Sequence, residues 1–134
     1  MTTGNYNVAI GYQALEMCTT DVDNVAVGLR ALEKCVQSDN TAVGTYALDA
    51  NTTASENSAF GYNAMTANTT GTYNTALGRE ALSSNTTADN NVAVGYAALT
   101  ANTTGGFNVA VVKDALVANT TGADNVAIGA ACLD

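Results

Sequence analysis

Histidine, proline and tryptophan are absent from this chain, and only four of its residues are Lys or Arg. Without His there is no imidazole to act as acid or base near neutral pH, or to ligate a metal. Four scattered cations cannot make the clustered contacts that nucleic acid requires. Against them stand 12 Asp and Glu, for a net charge of −8. Three Cys are too few, and odd in number, for a disulfide scaffold. No apolar run approaches the ~18 residues of a membrane helix, so membrane insertion is not expected. The opening stretch Met1-Thr2-Thr3-Gly4-Asn5 has neither the basic nor the apolar part of a secretory signal. Apolar residues nonetheless make up 47% of the chain, too many for a disordered tail. Its 134 residues allow one compact domain or one short repeat array.

The repeat dominates what is present. Asn recurs at 7, 24, 40, 57, 74, 91, 108 and 125, a constant step but for one that is shorter by a single position. From each Asn the chain reads Val, Thr or Ser, then Ala, a large apolar residue and Gly; after two variable residues come Ala and Leu. Thus Asn7-Val8-Ala9-Ile10-Gly11 returns as Asn91-Val92-Ala93-Val94-Gly95 and as Asn125-Val126-Ala127-Ile128-Gly129. Asn-Thr-Thr follows at 51–53, 68–70, 85–87, 102–104 and 119–121. Residues 1–134 read as a single repeat domain with no linker.

A unit this short cannot build helical or leucine-rich repeats and suits one coil of a parallel β-solenoid. The expected fold is therefore all-β: a β-solenoid or β-roll of eight coils, each of 16–17 residues. The segment after Asn has strand character, with alternate residues on opposite faces. The Ala-Leu segment reads as a second strand, or as one short helical turn closed by Asn51 or Asn68 in a left-handed cap. Such a coil cannot fold alone, and stability becomes a sum over neighbouring coils. The expected core is the fourth position (Ile10, Val27, Val43, Phe60, Leu77, Val94, Val111, Ile128) with the Leu/Met row, and it is thin because Ala fills two further rows that begin at Ala9 and Ala14. Both faces of the first strand are small and apolar, and one of them is expected against another copy of the chain.

Stacking turns equivalent positions into columns. The structural ladder Asn7, Asn24, Asn40, Asn57, Asn74, Asn91, Asn108 and Asn125 is expected to stack its amides at a turn. The Gly row fits a tight corner that needs positive φ or close approach; Val112 interrupts it, so there the corner either adapts or is strained. The column Thr52, Thr69, Thr86, Thr103 and Thr120 admits three readings: a polar turn bonded to its own backbone, a surface ladder that binds ice or glycan, or part of a glycosylation sequon. Asp23, Asp39, Glu56 and Asp124 precede the Asn row, with Asp89 one residue further back. They read as a solvated face rather than a calcium site, which needs converging oxygens. Tyr12, Tyr62 and Tyr96, with Tyr46 one position on, read as a ladder that contacts sugars or, the preferred expectation, packs at a chain–chain contact. Cys18 and Cys35 replace Asn in adjacent coils and read as a disulfide or a buried thiol stack. Cys132 reads as core. No nucleophile–base set and no phosphate-binding Gly motif is present, so neither enzyme activity, metal nor cofactor is expected.

The Asn-Val-Ala-Ile-Gly core resembles the head repeats of trimeric autotransporter adhesins, which wind into parallel β-rolls as trimers. The longer unit, Asn74-Thr75-Ala76-Leu77-Gly78 through Asn85-Thr86-Thr87, is similar to repeats of phage and virus tail-fibre proteins. The resemblance implies an extracellular or virion-surface fibre. Met1 to Tyr6 looks like the tail of a unit and Asn125 to Asp134 like the head of one, which suggests head-to-tail stacking. The expected partner is therefore the chain itself, as trimer or filament, with a glycan or cell-surface receptor as the alternative.

Overall fold

The computed structural model describes residues 4–34 and 37–133. It is an all-β parallel solenoid. Eight strands of three residues each form one sheet in chain order: β1 (Val8–Ile10), β2 (Val25–Val27), β3 (Thr41–Val43), β4 (Ser58–Phe60), β5 (Thr75–Leu77), β6 (Val92–Val94), β7 (Val109–Val111) and β8 (Val126–Ile128). Every pairing is parallel and in repeat register, so Ala59 lies between Ala42 and Ala76. No helix occurs among the described residues.

Hydrogen bonding between coils continues well past these short strands. Ser58 donates to Asn74 O at 2.9 Å, and Gly78 and Glu80 donate back to Phe60 O and Tyr62 O. Further round, Met65 donates to Ala81 O, Ala67 to Ser83 O and Thr69 to Thr86 O. Each coil is thus a rung in a nearly continuous ladder, the arrangement that satisfies its backbone groups. The Ala-Leu segment is neither a second strand nor a helical turn closed by Asn. It is two successive turns, in which Ala64 donates to Gly61 O and Asn68 to Met65 O.

These turns need left-handed residues, and three positions per coil supply them without glycine. In the fourth coil they are Glu56 (φ 58), Asn63 (φ 54) and Met65 (φ 52). Such a backbone costs an L-residue about 1–2 kcal/mol. At Met65, as at Leu48 and Leu82, the compensation is visible: the twist delivers a large side chain, fully buried, to the centre of the rod. Burying such a side chain returns ~1.5–3 kcal/mol.

The core differs from expectation on one strand face. Ala26, Ala42, Ala59, Ala76, Ala93 and Ala110 point inward and are fully buried, against the Leu/Met row. The fourth-position row, expected inside, points out: Ile10, Phe60, Leu77 and Ile128 are exposed, Leu77 at 49%. The reason is space. The coil closes so tightly that only Ala fits between the sheet and the opposing Leu row, and strand alternation then sends both flanking residues outward.

The Gly row forms the corner after each strand. Gly61 lies at φ 138, and a Cβ there would meet the carbonyl of Gly78 at 2.5 Å. Both readings of this row, positive φ and close approach, describe the same corner. Val112 adapts by closing to φ 91 while staying in the left-handed region, where a β-branched residue is strained. Replacing Val112 with Gly should therefore stabilise the rod by about 1 kcal/mol, strain relief outweighing the added chain entropy. A denaturant titration comparing the two chains measures it.

Candidate functional site

Two columns of Asn run through the interior and meet on shared carbonyls. In the predicted column, the backbone N–H of Asn74 donates to Asn57 Oδ1 at 3.0 Å, and that of Asn91 to Asn74 Oδ1 at 2.9 Å. The same contact joins Asn24 to Asn7, Asn40 to Asn24, Asn57 to Asn40, Asn108 to Asn91 and Asn125 to Asn108. The Nδ2 groups close the coil on itself: Asn57 donates to Gly71 O at 2.8 Å and Asn74 to Ala88 O at 2.8 Å.

The second column is Asn51, Asn68, Asn85, Asn102 and Asn119, the first residues of the Asn-Thr-Thr segments. Asn68 Nδ2 donates to Gly71 O at 2.9 Å, the carbonyl that Asn57 also uses. Asn85 Nδ2 reaches Asn68 Oδ1 in the preceding coil, and Asn102 reaches Asn85. Sequence reasoning missed this column, although its constant offset from the first Asn was a usable signal. Its burial also removes the glycosylation reading. Asn51, Asn68, Asn85 and Asn102 are fully buried with their amide nitrogens engaged, out of reach of any modifying enzyme on the folded chain.

Cys18 takes the place of this Asn in the first coil. It is buried with a free thiol that contacts Asp21 O at 3.9 Å. Burial first, and the Asp21 carboxylate second, raise its pKa and keep it protonated. Its expected neighbour Cys35 lies outside the described residues. Cys132 is a half-buried free thiol packed against the core.

The Thr column is committed to structure. Thr52 Oγ1 donates to Thr69 O at 3.1 Å, Thr69 to Thr86 O at 3.0 Å, Thr86 to Thr103 O at 3.1 Å, and Thr103 to Thr120 O at 3.0 Å. These hydroxyl protons point along the rod and tie one coil to the next. The second Thr of each segment (53, 70, 87, 104, 121) is exposed, and in the last segment Thr120 is exposed as well.

The solvent-facing columns separate by chemistry. Asp23, Asp39, Glu56 and Asp124 are exposed, just before the Asn row. Beside them Tyr73 is made harder to ionise by the negative charge of Glu56. Asp89 stands apart, accepting from Thr72 N at 2.7 Å. On the other side of the strands, cations interleave with aromatic rings. The Arg79 guanidinium lies 5.5 Å from the Tyr62 ring centre and 5.8 Å from that of Tyr96. Lys113 approaches Tyr96, Arg30 approaches Tyr46, and Tyr46 meets Tyr62 edge-on at 6.3 Å. Tyr12 is exposed at the same post-glycine position, at one end of the column.

One compact carboxyl pair lies off these columns. Glu33 is ion-paired with Arg30, which lowers its pKa, and it shares a hydrogen bond with Asp49 in the next coil. Burial first, and the bond to Glu33 second, raise the Asp49 pKa; its Oδ1 sits 3.7 Å from Arg30 Nε with no hydrogen bond. Among the described residues there is no cavity, and no cluster of three or more acidic or thiol groups suited to a metal. No helix of the described residues is long and apolar enough to cross a membrane.

Two outcomes follow from these contacts. Asn74→Ala would orphan the buried Asn91 N–H and deprive Ala88 O of one donor, so it should destabilise by about 2–4 kcal/mol, read from denaturant midpoints. Asp49→Asn imitates the protonated acid that the fold prefers. An acid whose folded pKa is raised contributes stability below its unfolded pKa and loses it as pH rises through the folded value. The variant should therefore melt higher than the parent at pH 7, with the gain vanishing as pH falls towards ~4, the unperturbed carboxyl range.

No protein-family model, curated protein or solved structure matches this chain.

Proposed function

We propose that this chain is a non-catalytic structural rod that self-associates into a fibre, and that its contact surface is the outward face of β1–β8. One observation carries the reading: the strands turn their larger side chains to solvent and keep Ala for the core. Two outward residues from each of eight strands make two columns of eight, among them Val8, Ile10, Phe60, Leu77, Val126 and Ile128, all exposed. The columns contain Val, Ile, Leu, Phe, Thr and Ser and no charged residue, in a chain of net charge −8. At ~4.8 Å per coil the strip runs about 38 Å along the rod. A contiguous apolar face of this kind on a soluble protein marks an interaction surface.

The rod architecture supports a mechanical rather than chemical role. Each coil is joined to the next by several parallel hydrogen bonds, so load applied along the stack is shared among the bonds of each interface. The resemblance to adhesin heads and tail-fibre repeats agrees with this reading and makes an extracellular appendage or virion surface the proposed setting. A glycan or ice surface as partner is the weaker reading, because the Thr column first suited to it has its hydroxyls engaged.

The test is a charge on the strip. Leu77 is exposed, so Leu77→Asp should leave the circular dichroism spectrum and melting of the single rod intact while abolishing self-association in sedimentation velocity. A parent chain that sediments as a monomer at every concentration would defeat the proposal.

A further inference from the structure

Resting on that reading, we propose that the partner on the strip is a second copy of this chain lying parallel to the first, face to face and in coil register, about a two-fold axis along the rods. The orientation follows from the two exposed rows that border the strip, each two residues from its outward columns. The row before the strands holds Tyr6, Asp23, Asp39, Glu56, Tyr73, Asn90, Phe107 and Asp124, with four carboxylates and no cation. The row after them holds Tyr12, Leu29, Thr45, Tyr62, Arg79, Tyr96, Lys113 and Ala130, with two cations and no carboxylate. The sheet face thus has one acidic margin and one basic margin, and both carry aromatic rings. Each cation of the basic margin is ion-paired with the next residue, Arg79 with Glu80 and Lys113 with Asp114.

Two such faces can meet about a two-fold axis in two ways. With the rods antiparallel, the two acidic margins lie against one another with their carboxylates interleaved along the rod, and the accumulated negative charge is unfavourable. With the rods parallel, the acidic margin of each copy faces the basic margin of the other, twice over. Coil register then opposes residues of the same unit across the interface. Tyr73 faces Arg79, Phe107 faces Lys113, Glu56 faces Tyr62, and Asp23 faces Leu29 beside Arg30. The first two are cation–aromatic pairs and the third matches a carboxylate with a phenol. Arg79 and Lys113 already rest on the faces of Tyr62 and Tyr96 within their own chain, which holds them at that margin.

Size and pitch favour a second copy. The sixteen outward strand residues with the exposed members of both margins bring each face to the roughly 20–30 residues a side of a standard interface. A ridge repeating at each coil interdigitates without gaps only with a surface of the same spacing, which another rod of this sequence presents, as in the dry packing of paired sheets. A strip is covered by one opposing strip, so this face joins rods in pairs, and growth of the pair into a fibre uses surfaces outside the strip.

Photo-cross-linking tests the orientation. Benzoylphenylalanine in place of Phe107, an exposed aromatic position, is introduced into isotopically light chains mixed with heavy unmodified ones. Light–heavy peptides mapped by mass spectrometry are then interchain. Most of the interchain yield is expected on residues around Lys113 of the same unit. Links to residues around Asp23 would show antiparallel rods and overturn the proposal. The same probe at Tyr96 is a second arm, with Asn90 as expected target and Thr45 as the contrary one. Sedimentation of the parent chain separates the failures: a monomer removes the self-association reading itself, whereas an assembly of three chains, or two chains without interchain links, overturns only this arrangement.

Discussion

Everything in this rod depends on the buried side-chain amide of asparagine. So short a coil must turn back on itself several times, and each turn leaves backbone groups pointing inward where no water reaches. An Asn side chain carries one acceptor and two donors on a short arm, which suits it to this task. Asn57 accepts the Asn74 N–H and donates to Gly71 O, joining the next coil to the closure of its own. Asn68 converges on the same carbonyl from the opposite turn. In the third, fourth, fifth and seventh coils two turns are thereby pinned to one carbonyl, that of Ala54, Gly71, Ala88 or Gly122.

The pinning explains the rest of the coil. With its corners tied, the loop encloses so little volume that the sheet can contribute only Ala, and the opposing wall a single Leu or Met. Left-handed residues are the geometric consequence, because the chain must reverse several times per coil without proline, and glycine takes up positive φ only at the corner after the strand. The strain at Leu48, Met65 and Leu82 is held by the burial it makes possible. The same economy turns the larger strand residues outward. An interior too narrow for Val or Phe creates an exterior rich in them, so the apolar strip is a by-product of the core.

The solvent-facing columns then differ by position alone. Residues just before the strands are free of packing demands and collect acids; residues after the glycine corner collect rings and cations that rest on one another. Because all columns run the length of the rod, small local choices place four carboxylates on one margin and two cations on the other. The carboxyl pair Glu33–Asp49 shows the risk of such stacking, since two acids brought to neighbouring levels must share a proton and an arginine.

The architecture was legible in the sequence, because a short, nearly constant period with Asn, Ala and Gly at fixed places specifies stacked coils and their register. The Asn7–Asn125 column and the glycine corner could be read the same way, since in a solenoid equal spacing means vertical neighbours. Spacing says nothing, however, about which side of a column faces inward. Ile10, Phe60 and Leu77 looked like core by hydropathy, and only the closed cross-section, with room for Ala alone, put them outside. The Asn-Thr-Thr segments admitted a polar turn, an open ladder or a glycosylation motif. Only the folded coil, which brings their polar atoms onto backbone carbonyls of the turn and of the next coil, chose the first. Periodicity is a property of the chain and survives in one dimension; inside and outside exist only once the coil has closed.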